Sequence, residues 1–219
     1  MKAEGIVYKV IPYKETSSIV YLYTKFGHIS VKSIGSKNKK NQSFLFDNVG
    51  NIVSFLITDN EFPTLIEYNL IKDQYDLTKD ISMLKAFGII IKIISYISND
   101  LSHNRIYSFI LKTLDDIRIN PKKALSIFLI KMLYNFGVNP NLKTCVLCES
   151  NLITSFSIPL GGALCDIHKN EENNKLLKIW QEYYYEKKDI NLYSDYDFDL
   201  LLNNIIEYYN IHTNIKLKV

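Results

Sequence analysis

The sequence predicts an α+β protein: five short antiparallel strands closed into a small N-terminal barrel, then helices with a cysteine-bearing loop among them. Three observations carry this. The first seventy residues hold short runs rich in β-branched and aromatic side chains, separated by turn chemistry. From about residue 79 the apolar residues recur at helical spacing instead. All three cysteines fall within CVLCESNLITSFSIPLGGALCDIH, residues 145–168.

The strand segments are EGIVYKVI, SSIVYLYT, HISVKSIG, FLFDNVGNIVSFLIT and TLIEYNLIK, with PYKET, KFG, SKNKKNQS and DNEFP between them. In the second, Ile19, Tyr21 and Tyr23 point one way and Val20 and Leu22 the other. Both sets are apolar, which predicts one face on a barrel interior and the other partly covered. Closure into a barrel also removes exposed sheet edges. Gly50, inside the fourth segment, marks a bulge or a sharp bend.

Met83, Leu84, Phe87, Ile90, Ile91 and Ile94 predict a first helix, and Ile106, Phe109, Ile110, Leu114 and Ile117 a second. The third has clear boundaries: Asn120 as N-cap, Pro121 in the first turn and Gly137 past the end, around a stripe of Leu125, Phe128, Leu129, Met132 and Phe136. KLLKIWQEYYYEK and DFDLLLNNIIEYYNIH predict two more helices. The organisation expected is residues 1–78 as one domain and 79–219 as a helical domain with an insertion at about 141–170.

The net charge of +3 conceals an asymmetry. Residues 1–42 contain Lys2, Lys9, Lys14, Lys25, Lys32, Lys37, Lys39 and Lys40 against Glu4 and Glu15. A polyanion should therefore meet the N-terminal part. Lys9, Lys14, Lys32, Lys37, Lys39 and Lys40 are candidate phosphate contacts, with Tyr13, in a turn, as the aromatic most exposed to a base. The alternative is a solvated loop that serves solubility, with most of the tyrosines in the core.

The cysteines follow C-x2-C-x16-C-x2-H. Cys145, Cys148, Cys165 and His168 supply four donors of the kind zinc takes in tetrahedral sites, and PLGG can turn the chain back between the knuckles. Four protein ligands leave no open position for water, so the Zn2+ is expected to be structural. Three buried cysteines with a surface histidine is the competing reading. The N-terminus has no apolar h-region, and the longest apolar runs, AFGIIIKIISYI and ALSIFLIKML, are short and carry a lysine each. With clustered cysteines these features predict a soluble cytoplasmic protein. No Walker A loop, G-x-S-x-G elbow or H-E-x-x-H occurs. Of the acid pairs that could build a magnesium nuclease site, Asp115 with Asp116 and Asp195 with Asp197, the first points in divergent directions on a helix. The expectation is a protein that is not an enzyme.

The opening EGIVYKVIPYKETSSIVYLYTKFGHISVKSIGSK, with NFGVNPNLKTCVLCES and FSIPLGGALCDIH further on, resembles the bacterial RecO family of recombination mediators. The resemblance implies an OB-fold barrel, a helical domain and a zinc-finger-like insertion with Cys145, Cys148 and Cys165 at ligand positions. His168 stands where the fuller family pattern has cysteine. It further implies binding of single- and double-stranded DNA, strand annealing, association with the nucleoid, and action with RecR in loading RecA onto DNA coated by single-strand binding protein (SSB), whose C-terminal tail is a partner. No membrane and no small-molecule substrate are expected. The rival reading is a non-enzymatic interaction module, barrel plus zinc finger, that bridges proteins without touching DNA.

Overall fold

A computed structural model of the chain describes residues 1–35, 46–169, 174–185 and 195–218. They divide into two compact units, Met1–Arg118 and Ile119–Val219, so the change from strand to helix at residue 79 falls inside the first.

The first unit opens with β1 (Lys2–Tyr13), β2 (Ser17–Thr24), β3 (Gly27–Ser33), β4 (Ile52–Ile57) and β5 (Leu65–Lys72). The sheet order is β3-β2-β1-β4-β5, with all ladders antiparallel. β1 is long enough to serve two partners: Lys2–Ile6 pair with β4, while pairing with β2 continues to Tyr13 past a register shift between Val7 and Lys9. Such a shift bends and twists a strand, as barrel formation requires. Closure comes from a parallel bridge between Lys32 and Thr64, where the Lys32 amide donates to the Pro63 carbonyl at 2.8 Å. This is the five-stranded OB-like arrangement expected.

Alternation decides the interior. Val7, Val20, Leu22, Val31, Phe46, Val53, Phe55 and Ile57 form one buried cluster. Val20 and Leu22 thus point inward, while Tyr23 on the other face is also fully buried. The fourth strand is shorter than its sequence segment. It starts at Ile52, and Gly50 lies in the turn before it at φ +95°, its amide donating to the Val7 carbonyl at 2.7 Å. A Cβ there would stand 2.3 Å from Phe87 Cζ, so the turn needs glycine both for its backbone and for its close neighbour.

Two helices complete this unit. α1 (Ile81–Ile94) is capped by Asp80, whose carboxylate accepts from the Ser82 and Met83 amides at 2.9 Å. It buries Ala86, Phe87, Ile89, Ile90, Ile93 and Ile94, a face rotated from the expected stripe: Leu84 is exposed and Ile91 half-buried. The run GIIIKII is apolar nearly all round, so its periodicity could not choose the face. α2 (His103–Asp116) buries Ile106, Tyr107, Ile110, Thr113 and Leu114. Two histidines tie this region to the barrel. Tyr23 Oη lies 3.0 Å from His103 Nδ1, and His28 Nε2 donates to the Ile97 carbonyl at 2.9 Å.

In the second unit α3 (Pro121–Asn135) has the expected boundaries. Asn120 Oδ1 accepts from the Lys123 amide at 2.9 Å, and Gly137 follows the helix at φ +69°. Then come the hairpin β6 (Ile153–Ser157) and β7 (Gly162–Cys165), α4 (Asn174–Tyr184) and α5 (Asp195–His212). Trp180 of α4 stacks on Phe156 of β6 at 4.9 Å between centroids, and Tyr209 of α5 donates to the Leu129 carbonyl of α3 at 2.7 Å. The helices and the hairpin therefore share one aromatic core. Among the described residues no helix is long and apolar enough to cross a membrane.

Candidate metal centre and nucleic-acid interface

The two cysteine knuckles meet because the chain around them is pinned to β7. The Asn141 amide donates to the Gly161 carbonyl at 3.0 Å, the Ala163 amide to the Asn141 carbonyl at 2.7 Å, and the Val146 amide to the Ala163 carbonyl at 3.0 Å. A Cβ on Gly162 would approach the Asn141 oxygen to 2.6 Å, so glycine is what lets these backbones lie together. The first knuckle closes on itself: the Cys145 amide donates to the Ser150 carbonyl and the Glu149 amide to the Cys145 carbonyl, both at 2.8 Å, with Glu149 at φ 60°. In the second, the His168 amide donates to the Cys165 carbonyl at 3.0 Å.

The ligand atoms of Cys145, Cys148, Cys165 and His168 all lie within 4.8 Å of one another. Cys148 Sγ is 3.6 Å from Cys165 Sγ, and His168 Nδ1 is 3.6 Å from Cys145 Sγ and 3.4 Å from Cys165 Sγ. A disulfide is excluded at that sulfur separation. Tetrahedral bonds of about 2.3 Å to sulfur and about 2.0 Å to nitrogen put donor atoms roughly 3.5–3.8 Å apart. The observed spacings are edges of such a tetrahedron, so the group is compatible with a bound metal ion. It is Nδ1 of His168, not Nε2, that faces the thiols.

The electrostatics bias two of the four donors, Cys145 and Cys165, toward their ligand forms. Burial opposes ionisation of Cys145, but hydrogen bonds from backbone near Cys165, Leu147 and Cys148, together with His168, bring its thiol down to about 6. Cys165 is lowered likewise, against burial, by the backbone of His168 and Ile167 and by the Cys148 and His168 side chains. Cys148 is helped by backbone at Ser150, yet burial and the two neighbouring sulfurs raise it on balance. His168 is raised by Cys145 and Cys165. A cation held by these four residues would offset the part of the Cys148 rise that comes from the neighbouring sulfurs.

Lys9 of β1 and Lys32 of β3 lie on the outer face of the sheet, with Lys14 in the β1–β2 turn. Lys9 pairs with Tyr21 across the ladder, its Nζ 5.3 Å from the ring centroid. Lys32, opposite Ile19 on β3, has its Nζ 5.6 Å from the Tyr13 ring and 4.9 Å from the Phe62 ring. Lys14 stands 5.5 Å from Tyr13 and turns the chain at φ 55°. The β1–β2 turn and the β4–β5 connection thus flank the β2–β3 surface, the region through which OB barrels take single strands.

Tyr13 differs from expectation. It is the last residue of β1 and half-buried, with its ring between Lys14 and Lys32. Lys37, Lys39 and Lys40 lie outside the described residues, as do the side chains of Asp195 and Asp197. Phe62, 40% exposed beside Lys32, was missed from sequence. The signal was there: an aromatic residue in the otherwise polar turn DNEFP has no core to enter. Asp115 and Asp116 diverge, the first paired with Lys72 at 2.6 Å and the second with Lys112 at 2.5 Å.

Comparisons with known proteins place the chain's similarities in one group of proteins. A family model described as the C-terminal part of recombination protein O matches residues 79–184. DNA repair protein RecO of Bacillus mycoides is 28% identical over 177 residues, covering 78% of this chain and 71% of the relative. The RecO of Bacillus cytotoxicus is 27% identical over the same shares, and that of Bacillus cereus strain AH187 is 25% identical over 181 residues, 80% of this chain and 73% of its own. The chain is RecO-like. That RecO resemblance extends over most of the sequence, so it is not confined to the cysteine knuckles.

Proposed function

We propose that this chain is a DNA-binding mediator of recombinational repair that works without catalytic turnover. Residues 1–78 take up single strands, and 79–219 form the helical part that carries the knuckle insertion at about 141–170. The observation that carries the reading is the clustering of Lys9, Lys32, Tyr13 and Tyr21 on one sheet face with Lys14 and Phe62 from the adjoining turns. Lysines neutralise phosphates while aromatic rings accept unstacked bases, a combination that binds strands with little regard to sequence. Lys37, Lys39 and Lys40 follow β3 in the chain and add three positive charges to this part of the sequence. Two strands held at high local concentration can pair, which is annealing. The names of the relatives, DNA repair proteins, support this reading.

Zinc is the ion inferred for the knuckles, since three thiolates and an imidazole suit a borderline-soft tetrahedral ion. With four protein ligands it would stabilise the β6–β7 region and leave no position for substrate. Partners on this reading are single- and double-stranded DNA, RecR and the C-terminal tail of SSB, and the place of action is the cytoplasmic nucleoid. The test is an annealing assay with complementary oligonucleotides coated by SSB. Parent protein should accelerate duplex formation and Lys9→Ala/Lys32→Ala/Phe62→Ala should not. A triple variant as active as the parent would move the DNA contacts elsewhere, and a parent without DNA affinity would leave a protein-bridging module.

A further inference from the structure

At the opposite end of β1 from Tyr13 lies an open cavity of about 320 Å³, lined by Lys2, Glu4, Lys25, Phe26, Ser54 and Tyr107. It has a floor, a stacking wall and polar groups of both signs. Tyr107 is 6% exposed, and its hydroxyl has no hydrogen-bond partner among the described residues. Phe26 is 61% exposed, with Lys25 Nζ 5.0 Å from its ring centroid. Its position is fixed in advance. The Phe26 amide donates to Thr24 Oγ1 at 3.0 Å, and that buried hydroxyl donates to the Gly27 carbonyl at 2.9 Å. Gly27 holds φ +110°, and a Cβ there would stand 3.0 Å from His103 Nε2, so the turn is seated against α2.

The sheet contributes polar residues to the same lining. Glu4 and Ser54 are directly paired across the β1–β4 ladder, and Lys2 lies two residues before Glu4 on the same face. An exposed aromatic ring held by its turn is a place for a base to stack. Two ammonium groups attract a phosphate. A carboxylate does neither; in nucleic-acid recognition it accepts from an exocyclic amino group, as from cytosine N4, whereas thymine offers O4 as an acceptor there. A pocket made only for phosphate would have no use for Glu4.

We propose that this cavity is a second nucleotide subsite, which stacks one unpaired base on Phe26 and selects a base with an exocyclic amino group through Glu4 and Ser54. Lys2 and Lys25 take the flanking phosphates. The inference rests on the single-strand binding proposed above and adds to it a specificity that the Tyr13–Phe62 end of the barrel lacks.

Equal-length oligo-dC and oligo-dT test it by fluorescence anisotropy. Parent protein should bind oligo-dC roughly tenfold more tightly than oligo-dT, as for one good hydrogen-bonded base contact. Glu4→Ala should abolish that preference without weakening oligo-dT. Phe26→Ala should weaken oligo-dC about tenfold. An oligonucleotide carrying 5-iododeoxycytidine should photocrosslink to Phe26 in the unaltered protein, so the outcome does not depend on the folding of a variant. Equal affinities for the two oligonucleotides, or a preference that survives Glu4→Ala, overturn the subsite. If binding is lost only with Lys32 or Phe62 and crosslinks map only there, the subsite falls and the DNA-binding reading stands. If neither oligonucleotide binds, both fall.

Discussion

The thiol–imidazole cluster of the second unit and the lysine–aromatic face of the first are assembled in opposite ways. In the cluster, four donors come from two short knuckles and converge to within 4.8 Å. On the barrel, Lys9, Lys14, Lys32, Tyr13, Tyr21 and Phe62 come from strands and turns spread over more than fifty residues, and only the ladder register makes them neighbours. Convergent donors suit a single compact ion. Spread cations and rings suit an extended polyanion whose charges are themselves spaced along a chain. The difference also concerns support, because the knuckle region has an ion's worth of ligands to hold it while the barrel unit relies on packing and on polar ties such as those of His28 and His103.

The largest effect should therefore come from breaking the cluster. Cys165→Ala removes a buried donor, and the metal content of purified protein should fall from about one ion per chain to near zero. Structural zinc accounts for much of the folding energy of small knuckles. Loss of about 2–3 kcal/mol here should lower the unfolding midpoint of this unit by about 10–20 °C. His168→Ala should act in the same direction but less, since water can fill one position. An unchanged metal content and melting temperature in both variants would show that the four residues are only neighbours.

Next in size is Phe62→Ala. Removing one stacking surface should weaken oligo-dT by about 1–3 kcal/mol, read as a shift in anisotropy midpoint, with no change in melting temperature. The contrast with Cys165→Ala sharpens the distinction: one variant loses stability and the other affinity.

A pH response should distinguish the barrel unit further. Burial lowers the His28 pKa below its ordinary 6.5, partly offset by its bond to the Ile97 carbonyl and reinforced by nearby His103. Its Nε2 is the donor in that bond, while buried Nδ1 has no partner among the described residues, so the fold holds a neutral imidazole. Below pH 6.5 the unfolded chain binds a proton that the folded chain resists, and stability falls as pH drops through the folded pKa. Thermal unfolding from pH 7.5 to 5 should show this loss, and His28→Gln, which retains a donor, should flatten it.

The smallest effect belongs to Asp76. Arg118 holds it by two bonds, Nε to Oδ2 at 2.6 Å and Nη2 to Oδ1 at 2.8 Å. That hydrogen bonding is the main reason its carboxyl titrates below 3.8, so its contribution is present above that pH and is lost as pH falls through the lowered value. The Asp76 side chain is half exposed, and solvent screening limits Asp76→Asn to less than about 1 kcal/mol at neutral pH.

What the sequence made legible follows the same division. The knuckles were readable because ligand spacing is a local property, and the pinning of α3 by Asn120, Pro121 and Gly137 was equally local. The strands were readable from alternation, with ends less so: β4 begins only at Ile52 because Gly50 takes up the turn before it. The buried face of α1 was not, since a helix apolar on nearly every side leaves the choice to its neighbours. Nor was the approach of Phe62 to Lys32, which depends on the Lys32–Thr64 bridge that closes the barrel. Tyr13 was misjudged in exposure, because the two lysines beside its ring come from different elements.

The central claim, that the barrel face grips phosphodiester chains, is tested most directly by titrating oligo-dT at several salt concentrations. About four lysine–phosphate contacts predict that log K falls with log salt at a slope near −3 for single strands, and Lys9→Ala/Lys32→Ala should reduce that slope by roughly 1.4. A flat salt response, or a slope the double variant leaves unchanged, would contradict the account.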